Sequence, residues 1–158
     1  MKRLILGIVI ALMVLSFAVG SVALAQKDIT IGMTISGLFS PSFVEMKRQA
    51  ELKAEELGVE LITVSADNDI DRQYEQVKDF ISRQVDCIII NTIDSYGIVK
   101  AVEEANKAGI PVITVDRASF GGEVFYHIET DNYNAGRLCG AWVAQHFKED
   151  PGPVEIMI

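Results

Sequence analysis

Cys87-Ile88-Ile89-Ile90, followed at once by Asn91-Thr92-Ile93-Asp94, decides the fold. The four apolar residues show no polar alternation, so a strand built from them has both faces covered. A strand of that kind belongs in the middle of a parallel sheet, with helices on either side. The polar residues that come next then stand at its carboxyl end.

Outward from this run, short β-like segments alternate with helical ones. Ile29 to Thr34 reads as a first strand, Val59 to Val64 as a second and Cys87 to Ile90 as the third. Pro111 to Val115 is a fourth, Val124 to Ile128 a short fifth and Val154 to Ile158 a sixth. Helical stretches are expected at 41–57, 70–84, 95–108 and 132–147. Phe43, Met46, Ala50, Ala54 and Leu57 recur at helical spacing and predict a buried face. Ser40 stands where a cap belongs, Pro41 suits the first helical position, and Gly58 suits the stop. Asp69 is placed to cap the second helix, whose inner face carries Tyr74, Val77 and Ile81. The third carries Ile98, Val102 and Ala105 and stops at Gly109. This alternation over short loops predicts an α/β fold, an open doubly wound parallel sheet with right-handed crossovers.

Met1 to Ala25 reads as an export signal. Lys2 and Arg3 precede an uncharged run from Leu4 to Gly20, and Ala23-Leu24-Ala25 has the small-residue spacing of a cleavage site. The rival reading is an uncleaved membrane anchor, because the run is nearly long enough to span a bilayer. No cysteine follows the run, so a diffusible periplasmic protein is expected rather than a lipoprotein. Loss of Lys2 and Arg3 makes the charge two units more negative than the −8 of the whole 158-residue chain. Such a balance argues against nucleic acid as a partner. Cys87 and Cys139 are expected to be small buried residues in separate elements. Gly136 and Gly140 have a small-x-x-x-small spacing that predicts close packing of their helix on a neighbour.

Ligands of doubly wound sheets bind beyond the carboxyl ends of the strands. There the sequence places Asn91 after the third strand, Asp116-Arg117 after the fourth, and Ser36, Ser40, Ser42 and Phe43 after the first. Carboxylate and amide groups bridge neighbouring hydroxyls, a guanidinium offers a rigid fork of donors, and an aromatic ring packs on apolar C–H faces. The set suits a sugar. Taken singly, each residue has a plain reading: a surface ion pair for Asp116-Arg117, a turn for Asn91, a core position for Phe43. No phosphate loop, dinucleotide fingerprint or nucleophile elbow is present, and His127 and His146 are isolated. His127 is expected to be a hydrogen-bonded structural residue. No catalytic group, cofactor or metal is expected.

From about Asp28 onward the chain resembles the type I periplasmic sugar-binding proteins of ABC importers, the ribose-binding group. The resemblance rests on Ser40-Pro41-Ser42-Phe43-Val44-Glu45-Met46-Lys47, Ile90-Asn91-Thr92-Ile93-Asp94-Ser95 and Pro111-Val112-Ile113-Thr114-Val115-Asp116-Arg117. Gly122-Glu123-Val124, leading through His127-Ile128 to Thr130-Asp131-Asn132, is its fourth stretch. It implies two similar lobes that close on a monosaccharide and present it to a membrane permease, with a chemoreceptor as a further possible partner. It also implies ligand roles for Asn91, Asp116, Arg117 and Phe43. Ser40 falls where ribose binders typically have asparagine, and Ser42 where they have a second aromatic, which puts ribose itself in doubt. The expected organisation is a signal peptide at 1–25, an N-terminal lobe at 26–130 and the start of a second lobe at 131–158. A chain that stops inside an apparent core strand reads as interrupted.

Two other classes are weighed. A sugar-responsive repressor needs a helix-turn-helix before the lobe, where the export signal stands instead. An enzyme on a flavodoxin-like sheet needs a nucleophile, phosphate loop or metal cluster at the strand ends. On the export reading, N-terminal sequencing of the secreted protein should begin at Gln26. An intact Met1 terminus in the membrane fraction would establish the anchor instead.

Overall fold

The computed structural model describes residues 29–148. The export signal at 1–25 and the sixth strand at Val154 to Ile158 lie outside the described residues. Five strands are present: β1 (Thr30–Ile35), β2 (Glu60–Ser65), β3 (Cys87–Ile90), β4 (Val112–Val115) and β5 (Tyr126–Ile128). Four helices accompany them: α1 (Pro41–Leu57), α2 (Ile70–Ser82), α3 (Val99–Lys107) and α4 (Asn132–His146). All strand pairs are parallel, in the order β2-β1-β3-β4-β5. The chain therefore steps outward from β1 to β2, then returns across β1 to β3. The gap between β1 and β3 is the switch point, where successive loops turn in opposite directions.

Register assigns the faces. Gly32, Thr34, Ile88, Ile90, Val112 and Thr114 are paired in rows on one side. Ile88, Ile90 and Val112 form the main core there with Val77 and Phe80 of α2 and Ala101, Val102 and Ala105 of α3. The Phe80 ring lies against the bare backbone of Gly32, where a Cβ would stand 2.5 Å from Cγ of the ring. On the opposite face α1 packs along β2, and Met33 and Ile35 are buried. Helices thus cover both faces, as the uninterrupted Cys87 to Ile90 run requires.

Several expectations are corrected. The helical face from Phe43 to Leu57 is only partly covered, because α1 lies along the edge strand β2. Ala54 is its buried residue and Leu57 is 61% exposed. Ser40 occupies the cap position of α1, but its side chain makes no capping bond. Asp69 does cap α2, accepting from the N–H groups of Asp71 and Arg72, and Gly58 ends α1 at φ 67°. α2 stops at Ser82 because Gln84 takes a positive φ of 56°. The third helix begins at Val99 rather than 95, because the Asp94 carboxylate draws the N–H groups of Tyr96 and Gly97 into a separate turn.

The largest correction concerns α4. None of its residues is buried. Cys139 is exposed rather than buried, and Cys87 is half-buried; both are free thiols. A Cβ at Gly136 or Gly140 would meet nothing within 4 Å, so no described element packs on that stripe. Burial pushes the Cys87 thiol up from its ordinary value, which keeps it protonated.

The Gly32–Phe80 contact yields a test. Gly32→Ala should displace the ring and destabilise the fold by about 1–3 kcal/mol, the usual cost of overpacking a filled core. The urea midpoint of the variant measures it. A parent-like midpoint would show that the ring relaxes freely.

Candidate functional site

Three neighbouring strands end in polar groups, and Asn91 joins them. Its side chain is 1% exposed. Its Oδ1 accepts from the Ser36 N–H at 3.1 Å and from Ser36 Oγ at 2.6 Å. Its Nδ2 donates to the Val115 carbonyl at 3.3 Å. One amide therefore ties the end of β1 to the end of β4 from its place beyond β3. Helix α2 supports it from beneath. Gln73, fully buried, donates to the Asn91 carbonyl at 2.9 Å and accepts from the Ile93 N–H at 3.1 Å. Gln76 accepts from Thr34 Oγ1 at 2.6 Å and donates to the Ser65 carbonyl at 2.8 Å.

Beyond β4 the backbone changes hand. Asp116 has φ 70°, while its N–H still donates to the Ile128 carbonyl at 2.8 Å. Asp67, Asn68 and Gln84 also have positive φ, and aspartate adopts it more readily than most residues. Asp116 is exposed, and its carboxylate has no partner among the described residues. Arg117 reaches back over β3: Nη1 donates to the Thr92 carbonyl at 3.2 Å and to that of Ile93. The adjacent acid and base form no ion pair with each other.

The loop after β1 supplies the other wall. Ser40 and Ser42 share a hydrogen bond of 2.7 Å between their hydroxyls. Phe43, in the first turn of α1, is half-buried. Its ring meets that of Phe39 edge to face, with centroids 6.2 Å apart and planes at 76°. The six candidate residues thus form two groups, Asn91, Asp116 and Arg117 at strand ends and Ser40, Ser42 and Phe43 at the start of α1. Among the described residues no hydrogen bond joins the two groups directly; the Ser36–Asn91 pair links their backbones. His127 is paired through Nδ1 to Thr114 Oγ1 at 2.9 Å and through Nε2 to Glu129 at 3.3 Å.

These groups offer hydroxyls, an amide, a carboxylate and a guanidinium beside a ring, with no nucleophile and base set together. The comparison with known families decides what kind of protein carries them. A periplasmic binding protein domain matches residues 31–158. The chain belongs to the periplasmic binding protein family. Among curated relatives, this binding protein is 40% identical over 119 residues to the ribose import binding protein of Bacillus subtilis, covering 75% of this chain and 39% of that protein. It is 35% identical over 156 residues to the ribose import binding protein of Escherichia coli, covering 99% of this chain and 51% of the relative. The chain therefore spans about half the length, or less, of these curated relatives. Among solved structures, an ABC transporter solute-binding protein of Mycobacterium smegmatis with bound glycerol superposes with TM-score 0.74 at 31% identity. That match covers 79% of this chain and 43% of the other. A Caulobacter myo-inositol binding protein bound to myo-inositol superposes with TM-score 0.71 at 27% identity, covering 76% of this chain and 41% of that one.

Sequence reasoning overlooked several participants in this binding protein. Gln73 and Gln76 lie on a helix whose apolar spacing gave no reason to bury them. Thr92 Oγ1 is buried without a partner among the described residues. Phe39 was not singled out, although an exposed aromatic in a serine- and glycine-bearing loop is itself a signal. A depression of about 470 Å³ lined by Gln84, Asp86, Gly109 and Ile110 lies at the opposite, amino-terminal edge of the sheet, away from these groups.

Asn91→Ala should cost stability as well as any ligand contact. It would leave the Ser36 N–H and hydroxyl without their shared acceptor, and each buried orphan costs about 1–3 kcal/mol. Chemical denaturation of the unliganded protein tests this. An unchanged midpoint would mean that the amide bridge is dispensable to the fold.

Proposed function

We propose that this chain is the sugar-holding N-terminal lobe, with the start of a second lobe, of an exported solute-binding protein of an ABC importer. It captures a monosaccharide between two lobes and hands it to a membrane permease; a chemoreceptor is a second possible recipient. It carries out no reaction. The mature protein works in the periplasm after loss of residues 1–25. Residues 26–130 form the first lobe and 131–158 open the second. Family membership supports the reading, as do relatives named for ribose and xylose import or binding. The exposed surface of α4, unlike the rest of the lobe, accords with a boundary near residue 131.

The observation that carries the proposal is the exposed Asp116 carboxylate, without a partner among the described residues, next to the Arg117 guanidinium at the carboxyl end of β4. Ligands of doubly wound sheets bind at that edge. Arg117 is anchored by two backbone carbonyls through Nη1 alone. Its Nε and Nη2 have no partner among the described residues. Asp116 would accept from sugar hydroxyls and Arg117 would donate to them, with Asn91, Ser40 and Ser42 adding polar contacts and Phe43 an apolar one. Closure is the output, a hinge motion stabilised by ligand contacts to both lobes.

Binding and stability should separate at Asp116. In the full-length protein, Asp116→Ala should weaken sugar binding at least about tenfold, since a hydrogen bond to a charged group contributes about 1.5–3 kcal/mol. Asp116→Gly should lose affinity too, yet leave the stability of the unliganded protein close to the parent's, because relief of the positive φ and the added chain entropy of glycine oppose each other. Arg117→Lys should also bind less well, because an ammonium cannot reproduce the planar fork. Glu103→Ala, exposed on α3, is the control and should leave binding unchanged. Calorimetry with D-ribose, D-xylose, D-apiose, L-arabinose and myo-inositol provides the readout. Parent-like affinity in Asp116→Ala would refute the assignment.

A further inference from the structure

We propose that Phe39 is a second ring contact for the ligand and a determinant of its selectivity for cyclic sugars. This inference rests on the sugar-binding reading above and adds a residue to that site. Phe39 is 69% exposed in the loop that leads from β1 into α1. An exposed phenylalanine alone means little, because apolar residues are scattered over every protein surface. This ring, however, has a built seat. A Cβ on Gly37 would stand 2.2 Å from its Cε1 and 2.5 Å from its Cδ1, so the ring occupies the space that a side chain at 37 would take. Its neighbour on the other side is the Phe43 ring, met edge to face at 6.2 Å. Glycine backbone and aromatic partner together hold Phe39 over the loop while most of its surface stays in water.

The position gives that surface a use. The hydroxyl pair of Ser40 and Ser42 follows immediately. The Ser36 backbone, bonded to Asn91, precedes it at the switch point of the sheet. Ring and hydroxyls therefore follow one another from the end of the loop into the first turn of α1. A sugar ring likewise sets C–H faces beside hydroxyls. Against it, Phe39 would cover a C–H face, while an open-chain polyol, which lacks a fixed face, would gain less. The ring thus discriminates by shape, whereas Asp116 and Arg117 read hydroxyl positions.

The test uses the full-length protein and whichever sugar of the panel it binds, together with the corresponding alditol. Phe39→Ala should weaken sugar binding about three- to tenfold, the range expected for one aromatic contact. It should also shrink the preference for the sugar over its alditol, and leave the melting temperature of the unliganded protein unchanged. Phe39→Tyr, which keeps the ring, should retain sugar affinity. Gly37→Ala should imitate Phe39→Ala, because the added methyl displaces an intact ring. If the parent binds sugar and Phe39→Ala binds it equally well, the inference fails alone. It fails also if affinity falls only in step with thermal stability, since the ring would then be structural. If the parent binds no sugar of the panel, the sugar-binding reading fails and this inference with it.

Discussion

The Asn91 side chain spans the crevice at the switch point of the sheet. β1 and β3 are neighbours whose chains leave in opposite directions, so the ladder between them ends and a crevice opens. Asn91 closes the floor of that crevice by accepting twice from Ser36 and donating to Val115. Removing either partner would leave a buried polar group in a poorly solvated place, at a cost comparable to a large share of a domain's stability. The positions of the β1 loop and of the β4 end are therefore coupled to each other through one side chain. The plain reading of Asn91, a residue that satisfies its own turn, is not what the structure shows, because its side-chain bonds reach Ser36 and Val115 on other segments. The same amide fixes the edges from which the other candidate groups project.

Beneath that floor the core and the polar edge are one construction. Phe80 rests on Gly32 and fills the apolar layer between α2 and the sheet. On the same helix, Gln73 and Gln76 reach the carboxyl ends of β1, β2 and β3. Helix α2 thus carries an apolar contact at one end of its buried face and amide contacts at the other. Its position cannot shift to relieve the core without breaking the hydrogen bonds that shape the crevice. Asp116 is held by backbone bonds instead, from its own N–H to the Ile128 carbonyl and from the Arg117 N–H to the Val115 carbonyl. Strand β4 is fixed by β3 on one side and β5 on the other, and the Asp116 N–H still joins the β5 ladder.

Much of this was legible in the sequence, and the failures have physical causes. The Cys87 to Ile90 run placed β3 at the centre of the sheet because a strand covered on both faces has no room for polar alternation. Strand ends followed from the same pattern, and with them the positions of Asn91, Asp116 and Arg117. The hand of the backbone at Asp116 was not legible, since an aspartate gives only a weak tendency toward positive φ. The burial of Gln73 was equally hidden, because periodicity counts apolar residues and a buried amide looks like a solvated one. At α4 the periodicity itself misled. Gly136 and Gly140 are spaced for close packing, yet spacing specifies a face and not the partner that covers it. Asp94 moved a helix start by taking two N–H groups into its own turn, a local competition that helical spacing alone cannot register.

The two groups of candidate residues differ in how firmly they are held, and that difference bears on how such a surface selects a ligand. Asn91 and Arg117 are tied to backbone carbonyls on neighbouring strands, so their donors are fixed before any ligand arrives. Fixed donors lower the ordering cost of binding and demand a particular arrangement of hydroxyls. Phe39 lies in the loop after β1, Ser40 at the cap position of α1 and Ser42 in its first turn, and the two hydroxyls bond to each other. A hydroxyl that can both donate and accept adapts to either kind of partner. Change at this loop and helix start therefore leaves the bridge at Asn91 in place, whereas change at the strand ends must be accommodated by the core beneath. Ser40 and Ser42, at the start of α1, therefore lie where a side chain can change at least cost to the fold.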